Sequence, residues 1–267
     1  MKTYKQVFAE LKRAALIPFF VIGDPNIETS FAIVKTAIDS GADILELGIP
    51  FSDPIADGPT IQKADIRAAA SGMTVNKALE FIQKVKDYKD IPIGLLMYYN
   101  LIYQYGMDKF FKDFHNAGVN SVLVADLSID DADETIGAAT SASLDTVFMV
   151  TPNTETERMN NIASKTTGFI YAVSVLGVTG SRENLSVQVE GLVDKLKKIT
   201  DVPVCVGFGI SKPEHAAALS LTGAEGVIIG SKIVRMIEEN LNDKDKMLSD
   251  ISEFINKVKK AILSQAE

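Results

Sequence analysis

Eight short apolar runs alternate with longer amphipathic stretches along the chain, and this repeating order limits the folds that the sequence can form. The runs are rich in Val, Ile, Leu or Phe and occupy residues 16–22, 43–48, 91–98, 121–125, 145–150, 168–174, 202–206 and 226–229. None alternates cleanly between apolar and polar residues, which is typical of parallel strands covered on both faces. Stretches with helical character, such as 27–40 and 59–71, separate the runs.

Eight strand–helix units in one chain close best as an α/β protein of the (β/α)8 TIM-barrel class. No linker, low-complexity stretch or composition break divides residues 1–267, so we expect a single domain. An amphipathic segment before the first run predicts an extra N-terminal helix, with Phe8 and Leu11 facing inward. A doubly wound open sheet is the alternative, but no Gly-x-Gly-x-x-Gly motif follows the first run, which counts against a dinucleotide-binding fold.

Charge and cysteine content narrow the classes of function and location. The formal net charge of −8 argues against nucleic-acid binding and means that any phosphate site needs local donors. The single cysteine, Cys205, stands in an apolar run, so we expect a buried apolar side chain rather than a nucleophile, and no intrachain disulfide. Neither a signal peptide nor a membrane span is visible, so we expect a cytoplasmic protein.

Catalytic groups of barrel enzymes lie at the carboxyl ends of the strands. No lysine or arginine lies within the eight runs, which disfavours a Schiff-base mechanism. His115 and His215 fall in predicted helices, and with one cysteine they make a metal site improbable, so no metal is expected. Acid–base chemistry must therefore come from the carboxylates or tyrosines among the polar residues at or after these ends: Asp24, Glu46, Ser52, Asp53, Asp57, Tyr98, Tyr99, Asn100, Asp126, Tyr171, Ser174, Thr179 and Ser231.

Among the polar residues at the ends of the strands, Glu46 and Asp57 are the two candidate catalytic carboxylates. Glu46 lies inside an apolar run, where burial would raise its pKa and make it a usable general acid. Its structural alternative is a glutamate paired with a neighbour or facing water at a strand edge. Asp57 lies in the following loop, which is rich in Asp, Pro and Gly. It is either a turn or helix-capping residue or a second carboxylate at the barrel mouth.

Two glycine turns predict a phosphate site. Gly207 and Gly209 follow the seventh run, while Gly230 and Ser231 follow the eighth and open a helix. In barrels these two loops commonly bind phosphate through backbone N–H groups and the helix dipole, so no arginine is required. Glycine turns without a ligand are the alternative. Residues 177–182 predict a mobile lid or an ordinary flexible loop.

A long segment resembles a known signature. Residues 45–62 read Leu-Glu-Leu-Gly-Ile-Pro-Phe-Ser-Asp-Pro-Ile-Ala-Asp-Gly-Pro-Thr-Ile-Gln, which is similar to the signature of the tryptophan synthase alpha subunit family. The resemblance covers essentially the whole chain in the right order, with further matches at residues 23–25, 97–100, 123–126, 177–180 and 207–210. It implies a barrel lyase that splits indole-3-glycerol phosphate into indole and glyceraldehyde 3-phosphate.

The resemblance also implies residue roles. Glu46 would protonate indole C3, so that the side chain leaves by retro-aldol cleavage, and Asp57 would hydrogen-bond the indole N–H. The matching substrate-binding residues are Phe19, Leu96, Tyr171, Thr179 and Phe208. The matching phosphate-binding residues are Gly180, Gly209, Gly230 and Ser231.

The family implies a protein partner and no cofactor in the alpha subunit itself. Its members bind a pyridoxal-phosphate-dependent beta subunit in an α2β2 complex and channel indole into it. Asp53, Pro54 and Asn100 match the region that contacts the beta subunit. Closure of the loops after strands 2 and 6, coupled through Asp57 and Thr179, would carry the signal between the subunits.

The sequence departs from the usual family pattern at four positions, none of which removes a catalytic group: Val21, Ser128, Val175 and Leu176. The last two lie beside the predicted lid. Three alternatives to the alpha-subunit function remain. They are a stand-alone indole-releasing lyase, a catalytically silent sugar-phosphate-binding barrel, and another phosphate-binding barrel such as a sugar-phosphate isomerase.

Overall fold

The strands form one parallel sheet in the computed structural model, which describes residues 1–173, 182–207 and 209–265. Within these residues the nine strands are β1 Ala15–Val21, β2 Leu45–Gly48, β3 Ile93–Met97, β4 Ser121–Val124, β5 Asp145–Thr146, β6 Phe148–Val150, β7 Ile170–Val173, β8 Val204–Gly207 and β9 Gly226–Ile229. They are arranged in the order β5-β4-β3-β2-β1-β9-β8-β7-β6, and every neighbouring pair is parallel.

The barrel closes through a single residue. The two ends of the strand order, β5 and β6, are separated only by Val147, whose N–H still donates to the Val122 carbonyl of β4 at 3.1 Å. β5 pairs with β4 and β6 pairs with β7, so both belong to the one predicted run 145–150. The predicted (β/α)8 barrel is confirmed, and the open doubly wound sheet is wrong because the covalent chain joins its two edges.

Helices surround the sheet. They are α1 Tyr4–Glu10, α2 Ile27–Asp39, α3 Pro59–Ala70, α4 Val75–Tyr88, α5 Tyr99–Tyr105, α6 Met107–Asn116, α7 Asp133–Ser141, α8 Thr156–Lys165, α9 Arg182–Lys197, α10 Pro213–Ser220, α11 Ser231–Glu239 and α12 Lys244–Leu263, with a 3-10 helix at Ile129–Asp131. Asn26 caps α2 by accepting a hydrogen bond from the Thr29 N–H at 2.9 Å, and Pro59 starts α3. α12 packs against α2, α10 and α11 and covers one side of the barrel.

The predicted N-terminal helix α1 closes the lower end of the barrel. Tyr4 is 2% exposed, and its hydroxyl shares a hydrogen bond of 2.7 Å with the Ser121 hydroxyl at the start of β4. Its ring packs edge-on against Phe169 just before β7. Phe8 and Leu11 pack partly buried against the same core, as predicted. The helix therefore lies across the amino ends of the strands and leaves the carboxyl ends open.

Burial on both faces explains why the strand runs do not alternate. Leu16, Phe20 and Leu47 belong to the layer between strands and helices. Ile17 and Ile228 belong to the barrel interior, where Cys205 is also completely buried, as expected for a small apolar side chain. Each strand therefore needs apolar residues at successive positions.

Candidate active site

A cavity of about 380 Å³ lies at the carboxyl ends of the strands. The structure brings eight of the predicted site residues together in its lining: Phe19, Glu46, Asp57, Leu96, Tyr171, Gly209, Gly230 and Ser231. They come from six strands or the loops that follow them, and Phe19 and Glu46 are register partners across β1 and β2. The predicted site residues Thr179, Gly180 and Phe208 lie outside the described residues, as do Ser174 and nearly all of the predicted lid.

Glu46 is a buried carboxyl group in the middle of β2. It is 4% exposed, and Gly94 lies beside it on β3. Burial, together with the nearby Asp57 carboxylate, raises the pKa of Glu46 to about 8. Within the described part of the chain, no hydrogen-bond donor or cation lowers the pKa of Glu46. The geometry therefore does not provide the structural alternative, in which Glu46 would be paired with a neighbouring residue. Glu46 is therefore protonated at neutral pH and able to donate a proton into the cavity.

Asp57 is held by a tyrosine that directly follows β3. The Tyr98 hydroxyl donates to Asp57 Oδ2 at 2.7 Å and accepts the Ala56 N–H at 3.1 Å. Burial raises the pKa of Asp57, while the Tyr98 hydrogen bond lowers it by favouring the ionised form. The N-cap of α3 is Gly58, so Asp57 is not the capping residue that its structural alternative required. This geometry supplies a fixed hydrogen-bond acceptor at the mouth of the cavity.

Apolar groups line the inner part of the cavity. Phe19, Leu96 and Tyr171 lie around Glu46, and Ile228 adds a buried side chain from β9. A Cβ atom at Gly207 would overlap the Tyr171 phenol, so the glycine makes room for that ring inside the barrel. The inner cavity can therefore accommodate a flat apolar group with a carboxylic acid beside it.

The outer part of the cavity is suited to an anion. Gly209 has a positive φ of 63°, and Gly230 is the N-cap of α11, whose first residue is Ser231. The N–H groups of a first helical turn and the helix dipole favour negative charge. Lys232 and Arg235, one turn apart on α11, also line the cavity and add two cations. The outer cavity therefore combines backbone donors with positive side chains.

Sequence reasoning did not assign Tyr98, Lys232 and Arg235 to the site. Tyr98 stood among the polar residues at strand ends, but no local pattern shows that it reaches Asp57, which lies 41 residues away. Lys232 and Arg235 directly follow the glycine turn at three-residue spacing, so helical periodicity could have placed them beside the phosphate site.

The other residues considered in the sequence do not line the cavity. Asp53 is exposed and Pro54 half-buried on the loop after β2, whereas Asn100, which was expected on a loop, is exposed in the first turn of α5. His115 and His215 lie partly buried on α6 and α10 and do not line it. Among the described residues, no cluster of three or more His, Cys, Asp or Glu side chains could hold a metal ion. The helices in that same part of the chain include none that could cross a membrane.

Comparisons with known proteins agree over almost the full length. The family model described as tryptophan synthase alpha chain matches residues 6–263. A tryptophan synthase alpha chain of Methanoregula boonei is 45% identical over 261 residues, which cover 98% of each chain. The crystal structure of tryptophan synthase subunit alpha from Legionella pneumophila matches with a TM-score of 0.91 and 31% identity over 99% of both chains. A structure of the mutually activating tryptophan synthase α2β2 complex from Pyrococcus furiosus matches with a TM-score of 0.86 and 37% identity, over 93% of this chain and 98% of that chain.

Proposed function

The chain belongs to the tryptophan synthase alpha chain family, which cleaves indole-3-glycerol phosphate, and we propose that Glu46 and Asp57 carry out this cleavage here. The supporting observation is the pair of carboxyl groups in one cavity. Glu46 is buried and protonated, and Asp57 is bound by the Tyr98 hydroxyl. Two carboxyl groups in different surroundings can serve as acid and as stabilising anion at the same pH.

The proposed reaction begins with proton transfer from Glu46 to C3 of the indole ring. The ring nitrogen then carries positive charge, and its N–H donates a hydrogen bond to the Asp57 carboxylate, which stabilises that charge. The bond between C3 and the hydroxyl-bearing side-chain carbon breaks, and its electrons restore the indole ring. The hydroxyl proton returns to the Glu46 carboxylate, so indole and glyceraldehyde 3-phosphate form while the enzyme regains its acid.

The cavity fits this substrate in two parts. Phe19, Leu96 and Tyr171 would contact the indole ring. Gly209, after β8, and Gly230 and Ser231, at the start of α11, would bind the phosphate, and Lys232 and Arg235 of α11 would contribute positive charge. The roles proposed for Thr179, Gly180 and Phe208 rest on the sequence resemblance alone.

We further propose that the chain needs no cofactor and assembles with a tryptophan synthase beta subunit in an α2β2 complex, the partner carrying the pyridoxal phosphate. The matching Pyrococcus furiosus structure is such a complex. The proposed contacts are Asp53 and Pro54, on the loop after β2, and Asn100, on α5. A cytoplasmic location agrees with a biosynthetic family and with the single buried cysteine.

Indole release from indole-3-glycerol phosphate by the purified chain, with and without a beta subunit, tests the proposal. We expect slow release alone, acceleration by the partner, and no change after dialysis against EDTA. Glu46→Gln should lower the rate by at least ~10²-fold, as expected when a general acid is lost. Glu239→Gln, an exposed glutamate on α11, should leave the rate unchanged.

Other outcomes would contradict specific parts of the proposal. A Glu46→Gln rate within tenfold of the parent would rule out Glu46 as the proton donor. Fast release that ignores the beta subunit would identify a stand-alone lyase. Absence of release in both conditions would identify a silent barrel, and activity lost to EDTA would show that a metal is needed.

A further inference from the structure

Asp126 is an exposed residue on the loop after β4 that the proposed reaction does not use. Its Oδ1 accepts a hydrogen bond of 2.8 Å from the backbone N–H of Tyr99, the first residue of α5. The first N–H groups of a helix have no partner within the helix, and a side chain at the N-cap position usually accepts from one of them. In α5 the acceptor comes instead from a residue 27 positions further along the chain.

The N-cap residue of α5 is Tyr98, and its side chain does not cap the helix. Its hydroxyl donates to Asp57 Oδ2 at 2.7 Å and accepts the Ala56 N–H at 3.1 Å. Its ring stacks on the ring of Phe51, with centroids 5.0 Å apart. All three partners lie on the loop between β2 and α3. The side chain at the N-cap position therefore holds the loop that carries Asp57, and Asp126 supplies the cap.

The pairing of β3 with β4 brings Asp126 to the start of α5. Met97 and Val124, the last residues of these strands, are register partners. The pairing continues for one more residue, because the Ala125 N–H donates to the Met97 carbonyl at 2.8 Å. Tyr98 follows Met97 directly, and Asp126 follows Ala125. Asp126 is therefore attached to a paired strand end, from which it can fix the direction in which the chain leaves β3.

The cap and the tyrosine hydroxyl are linked through one peptide group. The Tyr99 N–H belongs to the planar peptide unit that begins at the Cα atom of Tyr98. Movement of this unit therefore moves the Tyr98 backbone and, with it, the hydroxyl that binds Asp57. Small displacements of a catalytic group are costly to the rate, so a cap at this position affects more than the stability of the helix.

We propose that Asp126 is a positioning residue for the cleavage: it fixes the first turn of α5 so that Tyr98 holds Asp57 in place for the indole N–H. The inference rests on the proposed role of Asp57. Asparagine at position 126 keeps an acceptor oxygen and is a good capping residue, whereas alanine removes the acceptor.

Kinetics of the isolated chain separate these variants. We expect Asp126→Ala to lower kcat for indole release about fivefold with little change in KM, the order of effect expected when one helix cap is lost. Asp126→Asn should restore kcat to within about twofold of the parent, since the acceptor is kept. Asp243→Ala is the matched control, because Asp243 caps α12 by accepting the Lys246 N–H at 2.9 Å and does not line the cavity. It should leave kcat unchanged.

A second substitution shows whether Asp126 acts through the Tyr98 hydroxyl. In a Tyr98→Phe chain this hydroxyl is already absent, so adding Asp126→Ala should lower kcat by less than about twofold, because two substitutions in one network are not additive. An Asp126→Ala effect of the same size in both backgrounds would overturn the proposal, since it would identify an effect on the structure that is independent of Tyr98.

Amide exchange at Tyr99 provides a measurement that does not depend on catalysis. Asp126→Ala should accelerate exchange of this amide, whereas Asp126→Asn and Asp243→Ala should not. Unchanged kcat in Asp126→Ala would overturn the proposal if Asp57→Asn is impaired, and so would an Asp126→Asn variant as impaired as Asp126→Ala. Full activity of Asp57→Asn together with faster Tyr99 exchange in Asp126→Ala would instead overturn the proposed role of Asp57, and with it any effect of this cap on catalysis.

Discussion

Glu46 and Asp57 carry the same functional group, but their surroundings differ. Glu46 is enclosed by the barrel, so burial favours its neutral form. Burial also raises the pKa of Asp57, but this carboxyl accepts a hydrogen bond from Tyr98, which favours its anion. Chemistry at this site therefore depends on where each carboxyl group lies rather than on its type.

The raised pKa of Glu46 predicts a pH-dependent stability difference. Burial raises this pKa to about 8 from the ordinary value of 4.5, so folding favours the protonated form. The stability that Glu46 contributes is complete below about pH 4.5 and is lost as the pH rises to about 8. In urea denaturation, Glu46→Gln should therefore become progressively more stable relative to the parent across this interval. Glu239→Gln should show no such trend, and a constant difference for Glu46→Gln would contradict a buried neutral acid.

Tyr98 is predicted to act on catalysis through Asp57. Tyr98→Phe removes the hydroxyl that donates to Asp57 and accepts the Ala56 N–H. We expect kcat to fall about tenfold, since a hydrogen bond to a charged group contributes about 1.5–3 kcal/mol. Tyr88→Phe is the matched control, because Tyr88 makes a similar bond of 2.6 Å to Asp39 at the surface. Equal effects of the two substitutions on indole release would contradict the role of Tyr98.

For single residues, the sequence predicts burial better than it predicts contacts between distant side chains. The position of Glu46 inside an apolar run indicated a buried acid, because the apolar residues beside it in the strand are also its immediate neighbours in the sequence. The Tyr98–Asp57 bond depends on the register of two strands and the path of a loop, which no short pattern encodes.

Helix α11 supplies most of the proposed phosphate site. Its N-terminus, its first residue Ser231 and two of its cations all face the outer cavity. Lys232→Ala should raise the KM for indole-3-glycerol phosphate about tenfold with kcat little changed, since a charge-assisted hydrogen bond to phosphate would be lost. Lys244→Ala, at the start of α12 and away from the cavity, is the control. A KM that changes equally in both variants would place the phosphate elsewhere.

Element boundaries were predicted where the sequence carries capping signals. The helix predicted at 59–71 is Pro59–Ala70 in the structure, because proline starts it and Gly72, with a φ of 81°, follows it. The run predicted at 145–150 is divided into two short strands. Its halves pair with different neighbours at the point of closure, a property of the closed sheet that a run of apolar residues does not encode.

For the whole molecule, the order of apolar runs was sufficient to predict the barrel, because eight strand–helix units have few other ways to bury both faces of every strand. The expectation of a single domain over residues 1–267 stays a prediction. The proposed partner surface could not be predicted from the spacing of apolar residues, because that spacing reports which residues are buried in the chain's own core. Its prediction depended on the family resemblance.

The exposed residue Ile55 lies within this proposed surface. It is 82% exposed between Pro54 and Ala56, beside the cavity mouth. An apolar side chain in contact with water is a candidate for burial by a partner. Ile55→Asp should reduce acceleration of indole release by the beta subunit while the rate of the isolated chain stays within about threefold, because a buried unpaired charge would weaken docking. Ile66→Asp, at a residue that is 69% exposed on α3, should not affect acceleration. Reduced acceleration in Ile66→Asp but not in Ile55→Asp would place the interface on α3.

Helix α1 lies across the amino ends of the strands, so the cavity is closed at its inner end. Among the described residues, Tyr4 and the interior side chains above it fill the barrel below Glu46, so the proposed reactant and products would cross the same rim. The loop that carries Asp57 forms part of that rim. Whatever covers the rim would therefore act at once on the passage of ligands and on the alignment of the proposed catalytic carboxylate, so that access and turnover would be coupled.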